Sequence, residues 1–309
     1  MIVVINAGLT SGVIFRLSFS FIQVQGTMTP CYARLIVCSL LFAGTSYADV
    51  SVHSPMGGTL TFSQKTAGEH YATAMWGKMV FSNRHGQADL TQPDRVYEST
   101  SPVSPSGRYL VVNSLSGGEL VQEDGSVTYT DRAYCSVVDM RNGCITSDWS
   151  GEACGYTWTG KNDILAGSAR PDAETFDFLS QRPTLKAAAS DFALLEASRV
   201  SNLLRCDAPA KENINDYQRL ADTNHAAAGI INRYLLRYVT RTETTATVKS
   251  RSVLFTEAKE NSKTRGYLVK GDRIRIIQRS SQGQWVNIGY VNAKGSPLIA
   301  WVKAETLDI

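Results

Sequence analysis

Three kinds of hydrophobic patterning follow one another along the chain. Between residues 49 and 170 short apolar runs alternate with turn signals. Thr59-Leu60-Thr61-Phe62, Lys78-Met79-Val80-Phe81, Tyr109-Leu110-Val111-Val112 and Ser136-Val137-Val138-Asp139 have the β-branched and aromatic content of strands. Gly57-Gly58, Ser101-Pro102, Gly117-Gly118, Asp124-Gly125 and Asn142-Gly143 punctuate them. This predicts an antiparallel β domain. Between residues 171 and 243 the period becomes helical. Phe192, Leu195, Val200, Leu203 and Leu204 form one apolar stripe. Ile214, Tyr217, Ala221, Asn224, Ala228, Ile231, Leu235 and Tyr238 recur at spacings of three and four, which puts them on one helix face. The expectation is a helical hairpin with its turn at Asp207–Lys211, around Pro209. Its stripe is expected in the core, with a partner-binding seam as the alternative. Beyond residue 243 alternation returns: Trp285, Asn287 and Gly289 share one strand face, and Val286, Ile288 and Tyr290 the other.

The last stretch, residues 244–309, resembles the secreted bacterial SH3-like domains. Gly266-Tyr267-Leu268-Val269-Lys270-Gly271-Asp272 opens the strand Arg273–Ile277. Gln284–Tyr290 follows, and Ala300-Trp301-Val302 closes the module, with Ala300 where that pattern carries Gly. The resemblance implies a small β-barrel that binds and does no chemistry. Ser104-Pro105-Ser106-Gly107-Arg108-Tyr109-Leu110-Val111-Val112 resembles the opening of a propeller blade, and Trp158–Leu165 resembles the start of another. The β region is too short for the four blades of a closed propeller. The expected fold class is therefore mostly β with a helical hairpin: an antiparallel β domain over 49–170, two helices over 171–243 and an SH3-like barrel over 244–309.

Export changes how the cysteines are read. Met28 to Arg34 is a short basic segment, Leu35 to Ala43 is apolar, and Ser46-Tyr47-Ala48 is a small-x-small cleavage signal. Residues 1–48 are expected to comprise an upstream extension and a signal peptide, with no stable membrane span after cleavage and a periplasmic or secreted location. Cys135, Cys144, Cys154 and Cys206 then remain and are expected to form two disulfides. Cys135–Cys144 is favoured across the Asn142-Gly143 turn, leaving Cys154–Cys206. No metal is expected, since no histidine stands at ligand spacing from these cysteines. The formal charge of +3 falls to +1 when Arg16 and Arg34 leave with the leader. No nucleic-acid-binding face is implied.

The chain carries no nucleophile elbow, no metalloprotease helix and no phosphate loop. Oxidised cysteines are not nucleophiles. His70 and His85, flanking Trp76, are the one neighbouring histidine pair. Neither a catalytic residue nor a cofactor is expected. The aromatics are the better lead. In the SH3-like family such residues bind peptides or cell-wall stems, which makes Tyr267, Trp285 and Tyr290 the candidate ligand contacts; Trp301 is expected in the barrel core. Trp149, Tyr156 and Trp158, beside Cys154, are expected to pack over the disulfide, with a contact surface as the alternative. The functional expectation is an exported, non-enzymatic envelope protein that binds a protein or a peptidoglycan-derived ligand, in one version an immunity or inhibitor protein. The alternatives are a peptidoglycan hydrolase docked through the barrel, and a structural protein assembling through its helix.

Overall fold

The alternating runs become strands wherever one face finds a core. In the computed structural model the described residues are 49–66, 74–100, 103–150, 155–167 and 173–309. The proposed leader, the Ser101-Pro102 turn, His70 and Cys154 lie outside them, and so does the side chain of Phe192. The N-terminal strands are β1 (Val50–His53), β2 (Thr59–Thr66), β3 (Met75–Asn83), β4 (Gly86–Asp89), β5 (Val96–Tyr97), β6 (Tyr109–Val121), β7 (Val127–Asp139) and β8 (Cys144–Ser150). They form one antiparallel sheet in the order β1-β2-β3-β5-β6-β7-β8, with β4 also on β3. One face buries Leu60, Phe62, Met79, Phe81, Val138 and Met140. Each such side chain contributes ~1.5–3 kcal/mol when removed from water.

The opposite face carries a layer of aromatics. Strands β9 (Thr157–Thr159), β10 (Ile164–Ala166) and β11 (Thr175–Phe176) form a separate three-stranded sheet, so β structure continues past residue 170. Tyr109, Val111, Cys135, Val137, Leu165 and Phe178 are buried together, and Trp149, Tyr156, Trp158 and Phe176 pack against them. Trp149 meets Phe176 at 4.3 Å and Tyr109 meets Phe178 edge-on at 4.9 Å between ring centroids. These aromatics cover Cys135, which is oxidised. They are packing residues, as their sequence setting predicted.

The helical region departs from a simple hairpin. It contains α1 (Leu185–Ala188), α2 (Ala197–Cys206), α3 (Ile214–Thr223) and α4 (Ala228–Arg241). The expected long second helix breaks at Asn224, whose backbone leaves helical geometry at φ −104°, ψ 87°. Its Oδ1 accepts from the Ala227 N–H at 3.0 Å, and its Nδ2 donates to the Leu195 carbonyl at 2.7 Å. A side-chain amide that serves both neighbours makes a turn where spacing alone continues the helix. Ile231 and Leu235 are completely buried with Val200, Leu204, Tyr217 and Leu220. The stripe is core, and it offers no exposed seam for assembly.

The C-terminal strands are β12 (Thr245–Val248), β13 (Ser252–Phe255), β14 (Lys263–Leu268), β15 (Arg273–Arg279), β16 (Trp285–Val291), β17 (Pro297–Lys303) and β18 (Leu307–Asp308). Their order is β14-β13-β17-β16-β15-β12-β18, curled as a half-barrel around Val248, Leu268, Ile274, Val286, Ile288 and Val302. Aliphatics fill this core, and Trp301 is only half-buried, contrary to expectation. The other face of β16 is covered by α4. A Cβ on Gly289 would stand 2.7 Å from Val239 Cγ2, so only glycine admits the helix this closely. Gln218 on α3 accepts from the Ile299 N–H at 2.9 Å, which ties the helices to β17.

The join between the N-terminal sheet and the helices is polar. Asp139, with its side chain wholly buried, accepts from Arg108 at 3.1 Å, Arg141 at 3.2 Å and Arg182 at 3.3 Å. Arg182 also donates Nε–H to the Cys206 carbonyl at 3.0 Å. Asn202 of α2 applies its amide to Ile145 of β8, accepting from N–H at 2.9 Å and donating to C=O at 3.0 Å. The disulfide here is Cys144–Cys206, which overturns the favoured Cys135–Cys144 pairing. The register explains why. Asp139 stands opposite Cys144 across the Asn142-Gly143 turn, whereas Cys135 stands opposite Trp149. Cys135 is bonded to a partner outside the described residues.

Two outcomes test this junction. Burial pushes the Asp139 carboxyl up, but hydrogen bonds from Arg141 and Arg108 outweigh it and hold the group below its ordinary 3.8. Its contribution is then complete above about pH 4 and is lost as pH falls through the lowered folded value. Asp139→Asn should cost about 3 kcal/mol in denaturant unfolding at pH 7, and the gap from the native chain should narrow below about pH 4. The Cys144–Cys206 link spans 62 residues. Replacing both cysteines by serine should cost about 4 kcal/mol, and peptide mapping of the oxidised chain should recover this cross-link.

Candidate binding surfaces

The C-terminal half-barrel brings part of the predicted aromatic set together. Trp285, at the start of β16, stands edge-on to Phe255 of β13 with ring centroids 4.7 Å apart. Lys303 of β17 lies opposite Trp285 in register, with Nζ 5.8 Å from the ring centroid. Its ammonium pairs with Glu260. The hydrogen bond from Lys303 to Glu260 raises the lysine above its ordinary 10.5. Glu260, Gln284, Trp285, Lys303 and Glu305 line a cavity of about 340 Å³. A second cavity, about 250 Å³, shares Glu260 and Lys303 and continues to Phe255, Lys263 and Arg251.

Tyr267 is half-exposed on β14, with the Arg251 guanidinium 4.1 Å over its ring. Arg251 thus links the Tyr267 ring to the second cavity. Tyr290 behaves differently. It shares the strand face of Val286 and Ile288 and packs, half-buried, against the half-barrel core. Phe255, Lys303, Glu260 and Arg251 were not singled out in the sequence, because they meet only through the pairing of β13, β14 and β17.

A second surface comes from the long hairpin. Strands β6 and β7 pair without interruption from Tyr109↔Asp139 to Val121↔Val127. Among the described residues their flanking partners end at Leu115, paired with Val96, and at Tyr134, paired with Ser150. The remainder projects as a two-stranded arm about 20 Å beyond the sheet, at the rise of an extended chain. Its tip is closed at Gln122–Ser126, where Gly125 takes φ +81° and the Asp124 carboxylate accepts from the Ser126 N–H. Leu120, Val121 and Val127 are 52%, 67% and 56% exposed. Glu119, Glu123, Asp124 and Asp131, against Arg132, make the arm acidic.

The arm was not foreseen because Gly117-Gly118 was expected to end a strand. Both glycines lie within β6, and a Cβ on Gly117 would fall 2.5 Å from the Tyr129 hydroxyl. The alternation of Val127-Thr128-Tyr129-Thr130 after Asp124-Gly125 was the available signal.

His85 sits in the exposed turn between β3 and β4, where it accepts from Arg84 Nε. Among the described residues no group of three or more His, Cys, Asp or Glu is placed to hold a metal ion. No helix among them is long and apolar enough to cross a membrane. No family model, no curated protein and no solved structure matches the chain.

Glu260→Gln tests the local electrostatics of the aromatic surface. The Lys303 ammonium should then titrate at lower pH, closer to its ordinary 10.5, as followed by side-chain NMR. An unchanged titration would show that Glu260 does not hold it.

Proposed function

We propose that the chain is an exported, non-enzymatic binding protein of the bacterial envelope, and that it grips a protein partner through the β6–β7 arm. The observation that carries this reading is the arm itself. An isolated two-stranded ribbon is marginally stable in water. This one extends beyond its sheet with Leu120, Val121 and Val127 exposed at its end. Beyond Val96↔Leu115 and Tyr134↔Ser150 no other strand among the described residues pairs with β6 or β7. Exposed edges and apolar side chains are what strand addition to a partner's sheet requires. The acidic side chains favour a partner with a basic rim, because charge complementarity steers encounter and rejects wrong partners.

The half-barrel supports the same class of protein. The SH3-like resemblance, with Trp285 and Tyr267 near small cavities bearing Lys303 and Arg251, fits a module that holds a ligand without transforming it. A peptidoglycan-derived peptide is the competing ligand for this surface. An inhibitor that caps a secreted effector is one form the proposed activity takes.

The test is capture from envelope extract by the oxidised full chain, with isolated sacculi as a parallel bait. A stoichiometric protein partner should be captured, and Leu120→Lys with Val121→Lys and Val127→Lys should reduce its capture at least tenfold. Capture unaffected by the triple variant removes the arm from function. Retention on sacculi alone, lost in Trp285→Ala, transfers the ligand to the half-barrel.

A further inference from the structure

A cavity of about 570 Å³ lies between the β3–β4 turn, the β7–β8 turn and helices α2 and α4. Its charge is one-sided. Arg141, Arg205, Arg233 and Arg237 line it, against one lining carboxylate, Asp89. Arg141 already shares Asp139 with two other arginines. Arg205 donates to the Gly143 carbonyl and to the Ser201 hydroxyl, both at 2.9 Å. Among the described residues no carboxylate forms an ion pair with it. Burial pushes its guanidinium below the ordinary arginine value, with Tyr234 and Asp89 pushing back. The guanidinium groups of Arg233 and Arg237, one turn apart on α4, have no hydrogen-bond or ion-pair partner among the described residues. Arg237 lies 5.8 Å from the centroid of the Tyr234 ring.

A guanidinium held partly out of water without a counter-charge is costly unless an anion completes it. Arg205 is such a group, and the exposed guanidinium groups of Arg233 and Arg237 line the same concavity, so the three together favour an anion. The fork of an arginine matches phosphate and carboxylate alike, but phosphate offers more oxygens and so serves several forks at once. The wall opposite in charge is supplied by β4, where Asp89 and Gln87 are acceptors suited to hydroxyl groups. The volume lies within the range of small-molecule sites.

We propose that this cleft binds a phosphate ester carried on a hydroxylated body, with Arg205, Arg233 and Arg237 on the phosphoryl oxygens and β4 facing the hydroxyls. The site is separate from the arm and from the half-barrel aromatics, and it is independent of the partner-binding reading. The ester has two sources with the same chemistry, a soluble phosphorylated sugar or a lipid headgroup.

The experiment is titration calorimetry of the oxidised full chain with glucose 6-phosphate, glucose and hexaglutamate. Sedimentation with phosphatidylglycerol and phosphatidylcholine vesicles runs beside it. Glucose 6-phosphate or phosphatidylglycerol should bind, and glucose and phosphatidylcholine should not. Binding of the sugar phosphate identifies a soluble ester, and binding of the anionic vesicles alone identifies a headgroup. Arg233→Ala with Arg237→Ala, both exposed on α4, should weaken binding about 100-fold, the loss expected for two charge-assisted contacts. Arg205→Lys, which keeps the charge and removes the fork, should weaken it about tenfold. The proposal is overturned if neither phosphate source binds, if hexaglutamate binds more tightly than both, or if the double variant binds as the native chain does.

Discussion

One buried carboxylate determines how the two halves of this protein meet. Asp139 ends β7, and the three arginines that enclose it come from the turn before β6, the turn after β7 and the segment before α1. Burying a carboxylate is unfavourable unless its lone pairs are satisfied, and here they are satisfied by donors from separate chain segments. Geometry at one atom pair thereby becomes a constraint on tertiary arrangement. Arg182 carries the constraint onward, because it donates to Asp139 and to the last carbonyl of α2 together. Cys144–Cys206 reinforces the same junction covalently. With the junction fixed, α3 and α4 are placed to cover β16 and β17, and the C-terminal half-barrel is held by Val239 against Gly289 and by Gln218 at Ile299.

That arrangement leaves three surfaces with unsatisfied character of different kinds. The arm has exposed apolar side chains and acidic charge. The half-barrel has aromatic edges beside paired cations and anions. The arginine cleft has four guanidinium groups against one lining carboxylate, Asp89. Their chemistries differ in kind: apolar and acidic on the arm, aromatic on the half-barrel, basic in the cleft.

Much of the fold was legible in the sequence. All four N-terminal strand candidates lie in strands, and the faces of Val286 and Ile288 on β16 follow the alternation. Local periodicity reports which side chains are buried, because burial is what selected the pattern. It does not report where a helix stops when the stopping agent is a side chain. Asn224 occupies a core-spaced position and uses its amide to end α3. It also does not report cross-strand offset. Cys135 and Cys144 flank a turn, yet the strand register sets them in different places, and Cys144 finds a helix that arrives 62 residues later. Of the predicted ligand residues, Tyr267 and Trp285 reach accessible surface, while Tyr290 is partly spent on the core. The arm's tip and the cleft depend on strand length and helix placement, which residue types alone do not encode.

The contact between Asn202 and Ile145 has a further consequence. A sheet of eight strands ends in β8, and the backbone groups of a terminal strand are a template on which other chains add themselves. The Asn202 amide occupies both groups of Ile145 as a neighbouring strand would, and the cysteine bridge keeps α2 from leaving. The disulfide is therefore a guard on solubility as much as a brace on the fold. Because α2 also buries Val200 and Leu204, its departure after reduction would uncover the edge at Ile145 and the helical core together.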